Sequence, residues 1–539
     1  MMDSPRDHRP VQPRPGYRAP LVILFVVSLA SALWLLALTE HGIGVGSDSV
    51  VYMAGARNLA QGRGFVWVGG DQLPRPINHY PPLYSLALSG WLWLVPSPDE
   101  AARYLSALLM GANTFLAGWL TGLLASSAAA ALIGALVFVG SEETILLHSW
   151  AMSDGLYLFL ALLTVAIASR SRNPEARTQD VVLASGTAGL AFLTRYVGLS
   201  LFVIPLEGLL SLRAAGWARA RAAVVGFSLA ILACLLWLAR NLVLTDSATN
   251  RRLGVFVQGA SWWQGLARVV ESWLVPGRVQ HFLEEARIPP GSLLILGVVA
   301  ALVVALWVRM TADPWGLQAR LTTWLPLILV VPIHLGAITA SAWLTYPGPD
   351  LNARNMAPVL VALSILFVAS LGVVWSRGSG VAKVLAGIMA VSFAALEVYA
   401  GWDTAARLLK DGQGYTSAAW ESSETIRGLR ERNPGLVYTN DIGAVYYFTG
   451  KYAYEVPHRY EPITGRQRED YGEEVCRMQA RLRERDGLVV FFSLGSPLPE
   501  LLTRDDLGTL LQPIAEHLDG AIFRSADGPP PDCGPEGRG

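Results

Sequence analysis

A chain of 539 residues that is 52% hydrophobic and only 16% charged, with a mean hydropathy of +0.38, is too apolar for a soluble protein of this size. Its 42 basic and 42 acidic side chains cancel to a formal net charge of zero, so no nucleic-acid partner is expected. The three cysteines lack metal-site spacing: Cys234 lies in an apolar run, and Cys476 could pair with Cys533 if the C-terminal part is exported.

The apolar residues fall in blocks close to the roughly 20 residues that cross a hydrocarbon core. Membrane helices are expected at 20–39, 101–124, 128–146, 153–169, 181–194, 196–211, 222–244, 291–309, 320–343, 356–375 and 382–401. The first run is too long for a signal-peptide core and reads as an uncleaved anchor behind a cytoplasmic tail, residues 1–19. A further run, PLYSLALSGWLWLVP (82–96), follows Pro81 and ends at Pro96, which is short for a crossing.

Charge decides how that run is placed. If 82–96 stays at the interface and the N-terminus is cytoplasmic, the basic clusters at 6–18, 170–177, 213–221, 309–320 and 377–383 all fall inside. If it crossed, the later clusters would fall outside. The expected fold class is therefore an α-helical polytopic membrane protein with about eleven crossings plus juxtamembrane helices. Residues 40–100, 147–153, 245–290 and 344–355 then share the extracytoplasmic face with the C-terminal part. The near-exclusive use of arginine hints at a GC-rich bacterial genome, which makes the plasma membrane the expected location.

Taken in order along that face, Ser47 or Asp48 can cap a helix running to about Gln61, with Gly62 as its stop. Asp48 also lies about eight residues beyond the first span, at headgroup level, where a reaction on a lipid-linked phosphate would occur. In RPINHYPPLY, the two prolines hold His79 and Tyr80 extended, as hydrogen-bonding groups for a phosphate or sugar or as an interfacial anchor. Asp154 sits at the entrance of an apolar run, a costly position that marks a functional candidate beside the plain helix-terminus reading.

Arg195 in LTRYVGLSL and Arg240 in WLARNLVLTD lie at the ends of spans. Both could simply snorkel, or face the bundle interior and meet the growing charge of a phosphate leaving group. TYPGPDLNARNMAP adds Tyr346, Asp350 and Arg354, with Asp350 and Arg354 spaced as an i,i+4 ion pair or a headgroup clamp. SWWQGLARVVESWLVP puts Trp262, Leu266, Val269, Val270 and Trp273 on one face, expected as an interfacial rim helix.

From about 402 the pattern turns charged and alternating. Helix (416–431), strand (436–440), a short helix, strand YAYEV, helix (467–485), strand (487–493), helix and a final strand pair are expected. This makes residues 402–526 a small extracytoplasmic α/β domain without GxGxxG or GxxxxGK[ST], followed by a disordered tail, 527–539.

The ordered set of an early Asp48, QGRGF, YPPLYSLAL, AMSDGLYLFL, LTRYVGL, WLARN and NARNMAP resembles the GT-C membrane glycosyltransferases. It is similar to the bacterial enzymes grouped with lipid A aminoarabinose transferase and the rhizobial galacturonosyltransferases, and more distantly to protein O-mannosyltransferases. The resemblance covers about 20–400. It implies a polyprenyl-phosphate-sugar donor, an extracytoplasmic acceptor (lipid, glycan or protein) and inverting transfer. Asp48 matches the family's catalytic acidic residue and Asp154 its second external one, while Arg195, Arg240 and Arg354 match recurrent positions. Ser49 stands where many relatives have a further acidic residue, and the lysine that some carry near Tyr80 is missing. Membrane lipids are the remaining partners expected. No cofactor is required, and two scattered carboxylates allow a divalent metal without demanding one. The rival readings are a flippase or transporter of lipid-linked glycans, a glycan polymerase or ligase, and a non-catalytic scaffold. No internal repeat favours transport, and the charges gather at one face.

Overall fold

The computed structural model describes residues 18–68, 73–169, 174–212, 216–256, 259, 262–266, 268–269, 314–346, 348–349, 351–460, 467–493 and 510–526. Its helices in the apolar part are α1 (Arg18–Leu38), α2 (Ser47–Ala60), α3 (Leu83–Trp91), α4 (Pro98–Ala125), α5 (Ala128–Gly140), α6 (Glu142–His148), α7 (Asp154–Ala168) and α8 (Pro174–Thr194). They continue with α9 (Val203–Leu212), α10 (Trp217–Thr245), α11 (Pro314–Leu344), α12 (Ala353–Arg377) and α13 (Gly380–Asp411).

Among the described residues six helices are long and apolar enough to cross a membrane, or seven if the bent pair α5 and α6 is one span. The 63° bend of that pair falls at Ser141, whose extended backbone ends α5 and opens α6. Every expected run is helical except 291–309, which lies outside the described residues. Between α8 and α9 the chain breaks at Arg195, in extended conformation, before a short 3₁₀ stretch, Tyr196–Phe202. The doubtful run 82–96 forms only the nine residues of α3, about 14 Å of helix, too short to cross.

Burial sorts the helices. α4 and α12 are enclosed, whereas α1, α10 and α13 turn rows of large apolar side chains outward. Phe25, Leu29 and Leu33 on α1 and Val384, Ile388 and Val391 on α13 are such a lipid-facing surface. α13 crosses α5 backbone to backbone, because a Cβ at Gly401 would collide with the Gly140 carbonyl. On the face read as an interfacial rim, Trp262 and Val269 are buried in the bundle core, with Leu266 packed against it. That face packs on protein, and Val270 and Trp273 lie outside the described residues.

The C-terminal part adds α14 (Ala418–Glu421), α15 (Glu424–Arg432), α16 (Ile442–Thr449) and α17 (Tyr471–Glu484). Four two- or three-residue strands in the loops are β1 (Val66–Val68), β2 (Pro74–Pro76), β3 (Arg252–Leu253) and β4 (Thr345–Tyr346). The remaining strands are β5 (Val437–Thr439), β6 (Tyr454–Glu455), β7 (Leu488–Phe492), β8 (Leu511–His517) and β9 (Gly520–Ser525). These last five form one mixed sheet in the order β6-β5-β7-β9-β8, parallel around β5 and antiparallel around β9.

Two details differ from the sequence reading. The single helix expected at 416–431 is split, because the Ser423 hydroxyl accepts from the Ile426 amide at 3.0 Å and starts a new helix. α13 runs unbroken through residue 402 to Asp411. The C-terminal part also shares a hydrophobic core with the segment after the first span: Ile43, Val45, Val50 and Met53 pack with Tyr415, Trp420, Ile426 and Val445.

Candidate active site

The stretch before α2 is pinned on both sides. The Gly44 amide donates to the Ser149 carbonyl at 2.8 Å, and the Ala151 amide donates back to Gly44 at 2.8 Å. On the other edge the Tyr415 amide donates to the Val45 carbonyl at 2.8 Å. Gly414, at φ +61°, makes that approach feasible, since a side chain there would strike the Val45 carbonyl. This short three-segment contact fixes the start of α2 against the entrance of α7.

Asp48 is the second residue of α2, and the N-cap is Gly46, not Ser47 or Asp48 as expected. The Gly46 amide is satisfied by the Ser49 hydroxyl at 3.2 Å, so the Asp48 side chain is left free of capping and points elsewhere. Its Oδ1 accepts from the Tyr80 hydroxyl at 2.7 Å, and its Oδ2 lies 3.3 Å from Arg354 Nη1. About a third of the Asp48 side chain stays exposed (33%). Burial and the adjacent Asp48 charge push the Tyr80 phenol well above its usual range, so it remains a protonated donor. Its ring packs on Tyr52, centroids 4.7 Å apart, and the Tyr52 hydroxyl bonds Ser153 at 2.9 Å.

Asp154 is buried, at 3% exposure. Arg354 Nε donates to its Oδ2 at 2.7 Å, and Arg195 Nη1 pairs with its Oδ1. Arg195 reaches it because the break between α8 and the 3₁₀ stretch turns its side chain into the bundle, where Nη2 also donates to Asn355 Oδ1. Asn355 in turn sits in the first turn of α12, capped by Asn352, and its carbonyl is 3.0 Å from His334 Nε2. Asp48, Tyr80, Asp154, Arg195 and Arg354 thus form one connected cluster at one end of the bundle.

The other candidates are placed elsewhere. Arg240 donates to the Ile77 and Phe65 carbonyls at 2.8 and 3.2 Å and lies over Trp237, so it braces the loop that carries Tyr80. Tyr346 lies in β4, paired with β3, with its ring on Phe256. His79 stacks edge-on against Tyr80, and its Nδ1 is buried without a hydrogen-bond partner among the described residues. Burial, and then the Arg251 charge, lower its pKa, so the ring is neutral at pH 7. Asp350 lies outside the described residues. Tyr52, Ser153 and Asn355 were not singled out from the sequence. Ser153 and Asn355 lie within AMSDGLYLFL and NARNMAP, each a polar group beside a charged one, which is common, and Tyr52 carries no such signal.

All four carboxylate oxygens of Asp48 and Asp154 are therefore met by a hydroxyl or a guanidinium. Among the described residues no three His, Cys, Asp or Glu side chains converge as a metal-binding group. The cluster can accept a proton at the half-exposed Asp48 and can present cationic N–H groups to an anion.

No family model and no curated protein matches the sequence. The structure is similar to that of ArnT from Cupriavidus metallidurans in the apo state, with a TM-score of 0.59 at 15% identity, over 94% of this chain and 98% of that one. ArnT bound to undecaprenyl phosphate matches with a TM-score of 0.55 at 14% identity, over 95% and 98% of the two chains. The Archaeoglobus fulgidus oligosaccharyltransferase in complex with Zn and sulfate matches at 0.51 and 14%, over 86% of this chain and 68% of that one. At such low identity what is shared is the fold. The chain is a multi-pass membrane protein with the GT-C fold of membrane glycosyltransferases.

Proposed function

We propose that this chain transfers a sugar from a polyprenyl-phosphate donor to an extracytoplasmic acceptor by inverting single displacement, with Asp48 as the base. The observation that carries the reading is the half-open Asp48 carboxylate, held by Tyr80 and Arg354 in a fold shared with an ArnT that binds undecaprenyl phosphate. The acceptor hydroxyl gives its proton to Asp48 and its oxygen bonds the anomeric carbon. The bond from that carbon to the phosphate oxygen breaks, and the lipid phosphate leaves with the electron pair and an added negative charge. Arg354, the more exposed guanidinium of the pair, meets that charge, and Arg195 supports it from behind.

Asp154 has a supporting part. Buried with both oxygens on arginines, it is a positioning residue that aims Arg195 and Arg354. The charge bias of the short loops, with the basic clusters on the side opposite the site, supports a site on the outer face of a bacterial inner membrane. The test is single-turnover transfer by purified protein from polyprenyl-phosphate sugar. Product release without an added transport gradient supports a transferase, and no transfer by the wild type or equal transfer by Asp48→Asn overturns the reading. A polymerase or ligase shares this chemistry and is told apart by the length of the sugar chain that moves.

A further inference from the structure

A cavity lies behind α2, away from the cluster just described. It encloses about 730 Å³ between α2, the start of α4 and the C-terminal part, within the roughly 300–1,000 Å³ of small-molecule sites. Val50, Met53 and Arg57 line one wall. At 100° per residue these share a face of α2 that is turned away from Asp48. The opposite wall is aromatic, from Tyr446, Tyr447 and Phe448 of α16. That aromatic surface continues outward, with Tyr452 stacked on Tyr446 at 5.3 Å and Trp67 against it at 5.6 Å.

We infer that this cleft is a saccharide-binding site that holds the glycan portion of the acceptor. This rests on the transferase reading for the word acceptor, but the binding chemistry stands on its own. Phe448 is stacked on Trp420 and Tyr446 has one face on Tyr452, but both tyrosines stay half-buried, and the ring surface they leave open suits the C–H side of a sugar ring. Around them Arg57, Arg430, Asp99 and Glu421 also line the cleft, two cations and two carboxylates. That balance provides planar, two-pronged partners for neighbouring hydroxyls without the net positive charge a phosphate would need. None of the lining residues lies in a strand, so the cleft has no edge onto which a peptide could add as a strand. α16 also begins against the catalytic helix: a Cβ at Gly443 would lie 3.2 Å from the Cα of Ser47, the residue before Asp48. A ligand along α16 is therefore one helix width from the base.

The test is binding by the full-length protein in lipid nanodiscs to an array of lipid-free bacterial surface and core oligosaccharides, with a peptide array alongside. Expected is retention of a subset of oligosaccharides that weakens at least tenfold in Tyr446→Ala and Tyr447→Ala. Glu421→Gln and Arg57→Ala, on the exposed rim where folding is not at stake, weaken it several-fold. Asp48→Asn keeps the binding while losing transfer, so a failure of the site and a failure of the transferase reading give different patterns. No retained oligosaccharide, retention unchanged in all four cleft variants, or retention of peptides instead overturns the inference.

Discussion

Arg354 donates from Nε to Asp154 Oδ2 at 2.7 Å across 200 residues of sequence, and its Nη1 reaches Asp48 from the same guanidinium. A residue at the start of α12 thereby couples the buried carboxylate of α7 to the exposed one of α2. Lysine offers a single charged head and cannot span both. Arg354→Lys should reduce transfer at least tenfold with little change in melting temperature, measured by initial rates and thermal unfolding in the same detergent.

Asp48→Asn removes the base and keeps the shape. A positioned general base contributes about 10²–10⁴ in rate, so single-turnover transfer should fall into that range while donor-lipid binding persists. Measured rates within twofold of wild type would remove Asp48 from the mechanism.

Tyr80→Phe deletes the donor to Asp48 Oδ1 and leaves the ring on Tyr52. One hydrogen bond to a charged group is worth roughly 1.5–3 kcal/mol, so a loss of about tenfold or more in rate is expected. Because both residues act through one carboxylate, Tyr80→Phe added to Asp48→Asn should cost almost nothing further, read as a double-mutant cycle.

Asp154→Ala leaves Arg195 and Arg354 facing each other without their shared counter-charge. Breaking a buried pair costs about 3–5 kcal/mol, so this variant should melt well below wild type, whereas Asp48→Asn should not. The contrast separates a positioning carboxylate from a reacting one.

His79 has its pKa lowered by burial and by Arg251. The unfolded chain therefore binds a proton at pH values where the folded one does not, and stability falls as pH drops through the ordinary value of 6.5. His79→Gln has no proton to bind, so between pH 7.5 and 5.5 its melting temperature should fall less than that of wild type.

The apolar blocks, the shortness of 82–96 and the order of strands in the C-terminal part were legible in the sequence, because lipid and sheet each impose a period on side chains, while the helix expected after residue 493 lies outside the described residues. So were Asp48, Asp154, Arg195 and Arg354 as candidates, since a charge beside an apolar run is costly wherever the run ends up. Which of them meet was decided only by the tertiary structure. Arg195 and Arg240 looked alike as arginines at span ends, yet one turns inward at a helix break and the other braces backbone carbonyls of the first loop. The Asp350 to Arg354 spacing suits a local pair or a headgroup clamp and gives no sign that Arg354 reaches Asp48 and Asp154, far away in the chain. Likewise the apolar residues around Asp48 showed that something covers them, but not that Tyr415, Trp420 and Val445 do so. Periodicity reports that a face is buried. Only packing across hundreds of residues chooses its partner.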